Sequence, residues 1–107
     1  MNLRISTRTV GARRVVALDG LADLGTVPLL QSSLLREISH AEGETVVVDV
    51  DGLLALDDAA LGVFLGAAAT ARERGGDLEV LTTSQRWLDR FRSTKFEDAV
   101  TVRDSIV

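Results

Sequence analysis

The chain has 107 residues, 46% of them hydrophobic, which is enough for one domain built around one core. Its formal net charge of −4 argues against a general nucleic-acid-binding domain, because such domains usually carry an excess of basic residues. There is no cysteine and the single histidine is His40, so disulfides, thiolate chemistry and histidine metal clusters are excluded.

The sequence contains no segment typical of secretion or of membrane insertion. A secretory signal has a basic start, an apolar run and a small-residue cleavage site, and the first residues lack this pattern. No run of about 18 apolar residues is present either. We therefore expect a single cytoplasmic domain over residues 1–107, with no membrane contact and no nucleic-acid partner.

The first elements are predicted to form a β-hairpin. Residues 3–10 alternate apolar and polar side chains, which is typical of an edge strand, and Gly11 and Ala12 follow as a turn. Residues 14–18 are a short β-branched run and predict a second, more buried strand that ends at Asp19-Gly20. Residues 20–27 are then expected to form a loop.

The middle of the chain predicts a helix followed by a central strand. The helix begins at Thr26, whose hydroxyl can cap the helix start, with Pro28 in the first turn, and it closes at Gly43. Its buried stripe falls at helical spacing and consists of Leu30, Leu34, Ile38 and Ala41. Residues 45–50 include three successive valines and predict a strand covered on both faces. A polar exit loop is expected to end that strand, and it contains Asp49, Asp51 and Gly52.

A buried segment ends at Leu56 and is followed by two adjacent aspartates, Asp57 and Asp58. A helix of small residues is predicted after them, over residues 59–74. Aspartate is a preferred N-cap residue, so Asp58 is predicted to cap this helix. Capping is a complete explanation of Asp58 in itself, although a helix start also stabilises anionic groups. Gly75-Gly76 predicts a left-handed end of the helix.

The last part of the chain predicts a strand, a helix and a final short strand or docked tail. Residues 77–82 alternate as a strand, and Ser84 can cap a helix in which Trp87, Leu88 and Phe91 share one face. Residues 100–102 predict the closing strand. The whole order predicts an α/β fold with a mixed, mostly parallel sheet, an antiparallel N-terminal edge strand and helices packed on the sheet.

Few residues in this sequence can perform catalysis. Tyrosine and cysteine are absent, and no glycine-rich phosphate-binding loop is present, so we expect neither an enzyme nor a cofactor. One alternative is a Mg²⁺ site like that of phospho-receiver domains, because four carboxylates follow strand-like runs: Asp49, Asp51, Asp57 and Asp58. The other interpretation is that these are solvated loop carboxylates. Receiver domains also need a lysine on a late strand, which residues 78–81 lack.

The order of elements and two local motifs resemble the STAS domain of bacterial anti-sigma factor antagonists. The first motif is similar to the family pattern Gly-Glu-Leu-Asp-x-x-Thr and consists of Gly20-Leu21-Ala22-Asp23-Leu24-Gly25-Thr26. The second is similar to hydrophobic-Asp-Ser-Ser-Gly-Leu-Gly and consists of Leu56-Asp57-Asp58-Ala59-Ala60-Leu61-Gly62. A later Arg74-Gly75-Gly76 before a strand also matches, so the resemblance covers essentially the whole chain and implies the STAS fold.

The resemblance implies a non-enzymatic module that regulates transcription by binding a protein. In that family the partner is an anti-sigma factor with a kinase-like ATP-binding domain, which phosphorylates the first serine of the second motif and thereby breaks the complex. By position, Asp57 matches the motif aspartate, Asp58 the phosphorylated serine and Ala59 the second serine. The implied partner-binding residues are Asp23, Thr26, Asp57, Asp58, Ala59 and Leu61. The domain is expected to be a monomer or a weak dimer.

Departures from the family pattern alter the implied switch. Leu21 stands where the family prefers glutamate, and neither Asp58 nor Ala59 carries a hydroxyl for phosphoryl transfer. An aspartate carries a charge of about −1, whereas a phosphoserine carries roughly −1.5 to −2. The hypothesis is that Asp58 either locks the protein in a released form or suits a partner that accepts an acid there. A STAS subunit of a larger stress-signalling complex is a further alternative.

Overall fold

Five strands and three helices form the structure, a computed structural model that describes residues 2–106. In chain order the elements are β1 (Leu3–Val10), β2 (Arg13–Ala22), α1 (Val27–His40), β3 (Thr45–Leu56), α2 (Asp58–Glu73), β4 (Asp77–Leu81), α3 (Gln85–Ser93) and β5 (Thr101–Arg103). Short 3-10 turns occupy Leu24–Thr26 and Phe96–Asp98. The predicted alternation of strands and helices after a first hairpin is confirmed.

The strands form one sheet in the order β1-β2-β3-β4-β5. β1 pairs antiparallel with β2, and every other pair of neighbours is parallel, which confirms the predicted mixed sheet with its antiparallel edge strand. After β2, each connection leads to the adjacent strand and always moves in the same direction across the sheet. Right-handed crossovers that move in one direction place all their helices on the same face of the sheet. Alternate residues of β3 (Val46, Val48 and Val50) accordingly share the main core with helix residues such as Leu34, Phe64 and Phe91.

The opposite face of the sheet has a small core of its own. Val15, Val47 and Leu81 are buried together there, and the partly buried Ile106 packs against them. The Arg13 side chain holds this chain end in place, because its Nη1 donates a hydrogen bond of 2.8 Å to the Ile106 carbonyl. The prediction that the central strand is covered on both faces is confirmed, although the cover on this face is the chain end and not a helix.

The two central strands are longer than the sequence predicts. β2 was expected to end at Asp19-Gly20 and β3 at Asp51-Gly52, but their pairing continues to Ala22 and Leu56. The register shifts between Ala17 and Asp19 and again after Gly20, so β3 contains extra residues at both places. A Cβ on Gly52 would lie 1.9 Å from the Asp19 carboxylate, so the glycine permits close pairing here. Cross-strand pairing thus overrides the weak local strand propensity of Asp and Gly.

The two glycines after α2 have different roles. Gly75 has a φ of +82° and ends the helix in the left-handed conformation, as predicted. Gly76 is not left-handed; a Cβ at this position would lie 2.2 Å from the backbone oxygen of Glu44, which is closer than atoms can approach. The prediction of a two-glycine left-handed stop is therefore wrong for Gly76, where close backbone packing requires the glycine.

Candidate functional site

The two motifs of the sequence meet at one end of the sheet. β2 and β3 are parallel and their last residues, Ala22 and Leu56, pair with each other. The Asp57 amide then donates a hydrogen bond of 3.1 Å to the Ala22 carbonyl, which joins the loops that follow the two strands. The segments that begin at Asp23 and Asp57 therefore lie side by side.

Asp57, and not Asp58, caps helix α2. The strand delivers Asp57 in an extended conformation, with φ −97° and ψ 177°, and its Oδ1 accepts hydrogen bonds from the amides of Ala59 at 3.1 Å and Ala60 at 3.4 Å. The prediction that Asp58 is the N-cap is therefore wrong, because α2 begins one residue earlier than its sequence indicates, directly after the extended Asp57. Asp58 lies in the first helical turn, where a negative charge is favoured by the helix dipole.

The Asp58 side chain is 88% exposed and forms an ion pair with Arg90 of α3. Its Oδ1 lies 2.7 Å from Arg90 Nη2. The Arg90 side chain is only 31% exposed, and its buried Nε has no hydrogen-bond partner among the described residues. Sequence reasoning missed this residue, because nothing local to α3 links Arg90 to a carboxylate thirty-two positions earlier.

Asp23 and Thr26 bind each other across the 3-10 turn. The Thr26 amide donates to Asp23 Oδ1 at 3.2 Å, and the Asp23 amide donates to Thr26 Oγ1 at 3.0 Å. The Thr26 hydroxyl in turn donates to the Leu21 carbonyl at 2.9 Å. Thr26 is the residue before α1, as predicted, but its hydroxyl makes no capping bond to that helix. The predicted hydroxyl cap is wrong, because the Thr26 hydroxyl forms its hydrogen bonds with the preceding turn instead.

The implied partner-binding residues divide by exposure. Asp58 is exposed, and Asp23, Asp57 and Ala59 are partly exposed at the same end of the sheet. Two others are buried, each less than a tenth exposed: Thr26 and Leu61. The Thr26 hydroxyl is hydrogen-bonded within the first loop, and Leu61 packs in the main core.

Two exposed leucines that sequence reasoning missed lie at this end of the sheet. Leu24 is 75% exposed in the 3-10 turn, and Leu54 is 71% exposed near the end of β3. The register passes from the pair Gly20 and Leu53 to the pair Leu21 and Ala55, so Leu54 is the extra residue of a β-bulge. A signal was present, since the tandem leucines at positions 53 and 54 do not alternate in polarity. We call Asp23, Leu24, Leu54, Asp57, Asp58 and Ala59 together the candidate surface.

Asp51 fixes the start of α3 next to the candidate surface. Its carboxylate accepts hydrogen bonds from the hydroxyls of Thr82 at 2.6 Å and Thr83 at 2.8 Å, and from the Thr83 amide at 2.9 Å. Partial burial alone would raise the pKa of the Asp51 carboxyl, but these bonds and the Ser84 backbone together lower that pKa from its usual 3.8. Ser84 is the residue before α3, as predicted, although its hydroxyl makes no capping bond.

The four carboxylates of the predicted alternative metal site do not converge. Asp49 faces Arg8 at 3.9 Å, whereas Asp51 binds the threonines before α3. Asp57 caps α2 and Asp58 pairs with Arg90. Within residues 2–106 no group of three or more metal-ligating side chains is arranged to hold an ion. The geometry therefore gives no support to the receiver-like alternative, and it leaves each carboxylate with a local structural role.

None of the helices described between residues 2 and 106 has the length and apolar content needed to cross a membrane. A search of the curated proteins finds no significant match to this sequence.

Several solved structures share the fold. An anti-sigma factor antagonist from Mycobacterium paratuberculosis superposes with a TM-score of 0.85 at 13% identity, covering 97% of this chain and 87% of that one. A STAS domain protein, also an anti-sigma factor antagonist, from Planctomyces limnophilus gives 0.79 at 12% identity, covering 94% and 90%. The phosphorylated form of the Bacillus cell fate determinant SpoIIAA gives 0.67 at 17% identity, covering 92% and 90%. At such identities the likeness establishes the common fold.

Family membership follows from the sequence match that accompanies this fold. Residues 5–103 match the family model described as "Mlab, STAS domain", which is nearly the whole chain. The resemblance predicted from the two motifs is thereby confirmed. The chain belongs to the STAS domain family.

Proposed function

We propose that this chain is an anti-sigma factor antagonist-like module that binds a protein partner and has no catalytic activity of its own. The partner is an anti-sigma factor with a kinase-like ATP-binding domain, and binding it in the cytoplasm regulates transcription. One observation carries the proposal: two exposed leucines, Leu24 and Leu54, lie beside the acidic loops at one end of a fold shared with anti-sigma factor antagonists.

The composition of the candidate surface suits a protein partner. Protein interfaces combine apolar anchors with a polar rim, and a few well-packed anchors supply most of the binding energy. Leu24 and Leu54 expose more of their surface than any other large apolar side chain described in the structure. Asp23, Asp57 and Asp58 supply the polar part of this surface.

Phosphorylation cannot switch this surface at position 58 in the way the family pattern implies. The side chains of Asp58 and Ala59 lack the hydroxyl that a serine would provide. The switch is therefore lost, or it is replaced by a control that does not involve phosphoserine at this position. We place Thr26 and Leu61 in the support of the surface, because both are buried.

Affinity capture with tagged protein from a lysate of the source organism tests the proposal. Wild-type protein should capture a kinase-type anti-sigma factor, identified by mass spectrometry, and Leu54→Ser should abolish the capture because Leu54 is the most prominent β3 side chain of the surface. Leu35→Ser is the matched control, since Leu35 is a 38% exposed leucine on α1 and outside the candidate surface. Its capture should equal that of wild type.

Three results would count against the proposal. Capture that survives Leu54→Ser would show that the candidate surface is not the docking site. Equal loss with Leu35→Ser would point to a general folding defect or to another face. Capture of a multi-protein assembly without any kinase-type anti-sigma factor would favour a subunit of a larger signalling complex instead.

A further inference from the structure

We infer that Arg90 sets the electrostatic state of position 58 and keeps the candidate surface in a charge-compensated, binding-competent form. Asp58 then does not imitate a phosphoserine, because its charge is matched within the chain by the Arg90 guanidinium. The consequence for partner binding rests on the proposed function, whereas the pairing of Asp58 with Arg90 does not.

The ion pair is unequal in exposure. Asp58 extends into solvent with 88% of its side chain exposed, but Arg90 is only 31% exposed and belongs to the packed part of α3. The residue after Arg90 is Phe91, which is fully buried in the main core. The guanidinium is therefore the fixed member of the pair, and the Asp58 carboxylate meets it with Oδ1 at 2.7 Å from Nη2.

The buried Nε of Arg90 is a second, independent observation. It has no hydrogen-bond partner among the described residues. An unsatisfied buried donor is unfavourable and rare in folded proteins, so the unpaired Nε of Arg90 needs an explanation. The pairing with Asp58 provides that explanation, because the side-chain placement that leaves Nε without a partner also brings Nη2 to 2.7 Å from Asp58 Oδ1.

Two further contacts hold α3 at the distance that this pairing requires. Arg86, one turn before Arg90, donates from Nη1 to the Leu54 carbonyl at 3.3 Å. The Asp51 carboxylate ties the segment before α3 to β3 through Thr82 and Thr83. Arg90 is thus positioned independently of Asp58, and it would face any anionic group carried at position 58.

The pair changes what position 58 presents to a partner. A phosphoserine adds roughly −1.5 to −2 charges and three acceptor oxygens, more than one guanidinium can neutralise. Asp58 adds about −1, and Arg90 contributes the opposite charge next to it. The sequence left open a locked released form or a partner that accepts an acid at position 58, and the ion pair argues against the locked form. Arg90 is accordingly a positioning residue that acts through Asp58.

A double-mutant cycle in urea unfolding tests the pairing in the isolated protein. The variants are Asp58→Asn, Arg90→Gln and the two together, and Arg92→Gln is the control on the same helix. We expect Arg90→Gln to raise the unfolding equilibrium constant about two- to fivefold more in the Asp58 background than in the Asp58→Asn background, which is the coupling of an exposed ion pair. Arg92→Gln should show no coupling to Asp58. Additive effects of Asp58→Asn and Arg90→Gln would overturn the inference.

Binding of the purified anti-sigma factor kinase to the same variants tests the consequence. Arg90→Gln leaves Asp58 uncompensated and should weaken binding by about tenfold, a change typical of a misplaced interface charge. The double variant should recover most of the affinity that Arg90→Gln loses and should bind no more weakly than Asp58→Asn alone, because no uncompensated charge is left at position 58. A merely structural Arg90 would give no such recovery.

The outcomes separate this inference from the proposed function. Equal binding of wild type and Arg90→Gln, or no recovery in the double variant, would overturn the role of Arg90 while leaving the docking surface intact. Absence of binding by every variant would refute the proposed function and with it the binding consequence. The unfolding cycle would still decide whether Arg90 and Asp58 are paired.

Discussion

Replacing Asp57 with alanine should destabilise the protein more than replacing its neighbour Asp58. Asp57→Ala removes the acceptor of two helix-start amides, at 3.1 Å from Ala59 and 3.4 Å from Ala60. Asp58→Ala removes an exposed carboxylate in the first turn of α2 and one exposed ion pair. The two changes delete the same chemical group one residue apart, so they are matched controls for each other.

The geometry sets the expected magnitudes. One of the two capping bonds is of normal length and the other is marginal, and water can reach the partly exposed helix start, so Asp57→Ala should cost about 1 kcal/mol. For a domain of this size that lowers the melting temperature by about 4 °C. Asp58→Ala loses a dipole interaction and a screened ion pair, together about 0.5 kcal/mol. Asp57→Asn retains a capping oxygen and should cost only a few tenths of a kcal/mol.

Urea unfolding followed by circular dichroism measures these differences. The expected order of destabilisation is Asp57→Ala, then Asp58→Ala, then Asp57→Asn, with equal m-values because the fold is unchanged. If Asp58→Ala proved the more damaging alanine variant, the assignment of Asp57 as the helix cap would be refuted. The same result would imply that α2 begins one residue later than the structure has it.

Three further substitutions test other parts of the fold. Asp51→Asn should lower the free energy of unfolding by about 1–2 kcal/mol near neutral pH. Because hydrogen bonding lowers the pKa of Asp51 in the folded state, the stabilisation by its carboxylate is complete above the unfolded pKa and is lost as the pH falls below about 4. The unfolding free energies of wild type and variant should therefore converge in acid. Gly76→Ala should cost about 2 kcal/mol in thermal unfolding, since its Cβ would collide with the Glu44 carbonyl, and a cost near zero would show that this approach relaxes freely. Phe91→Ala removes a fully buried ring whose centroid lies 4.9 Å from that of Phe96, and calorimetry should show a loss of about 3–5 kcal/mol.

The parts of the fold that depend on local periodicity could be predicted from the sequence. The stripe Leu30, Leu34 and Ile38 is buried on α1, and residues 3–10 form the predicted edge strand with its exact bounds. Trp87 and Phe91 are buried on one face of α3, as their spacing indicates. These features depend on residues close together in the chain, so the pattern of side chains determines them.

The parts that depend on partners distant in the chain could not be predicted. The continuation of β3 through Asp51 and Gly52 depends on pairing with β2. Pairing with a strand that is distant in the chain leaves no signal in the local sequence. The shift of the α2 cap from Asp58 to Asp57 depends on a distant contact as well, because the Asp57 amide is hydrogen-bonded to the Ala22 carbonyl of β2. The exposure of Leu54 depends on a bulge in the same pairing, and the contact of Arg90 with Asp58 depends on where α3 packs.

The most direct test of the account is an NMR titration of the isotope-labelled protein with its kinase-type anti-sigma factor. We expect backbone shifts to change at the candidate surface, above all at Leu24, Leu54 and Asp58, while the opposite sheet face around Val15 and Val47 stays unperturbed. Shift changes centred on Val15 and Val47, or none on addition of the anti-sigma factor, would contradict the proposal that the ends of β2 and β3 form the docking site.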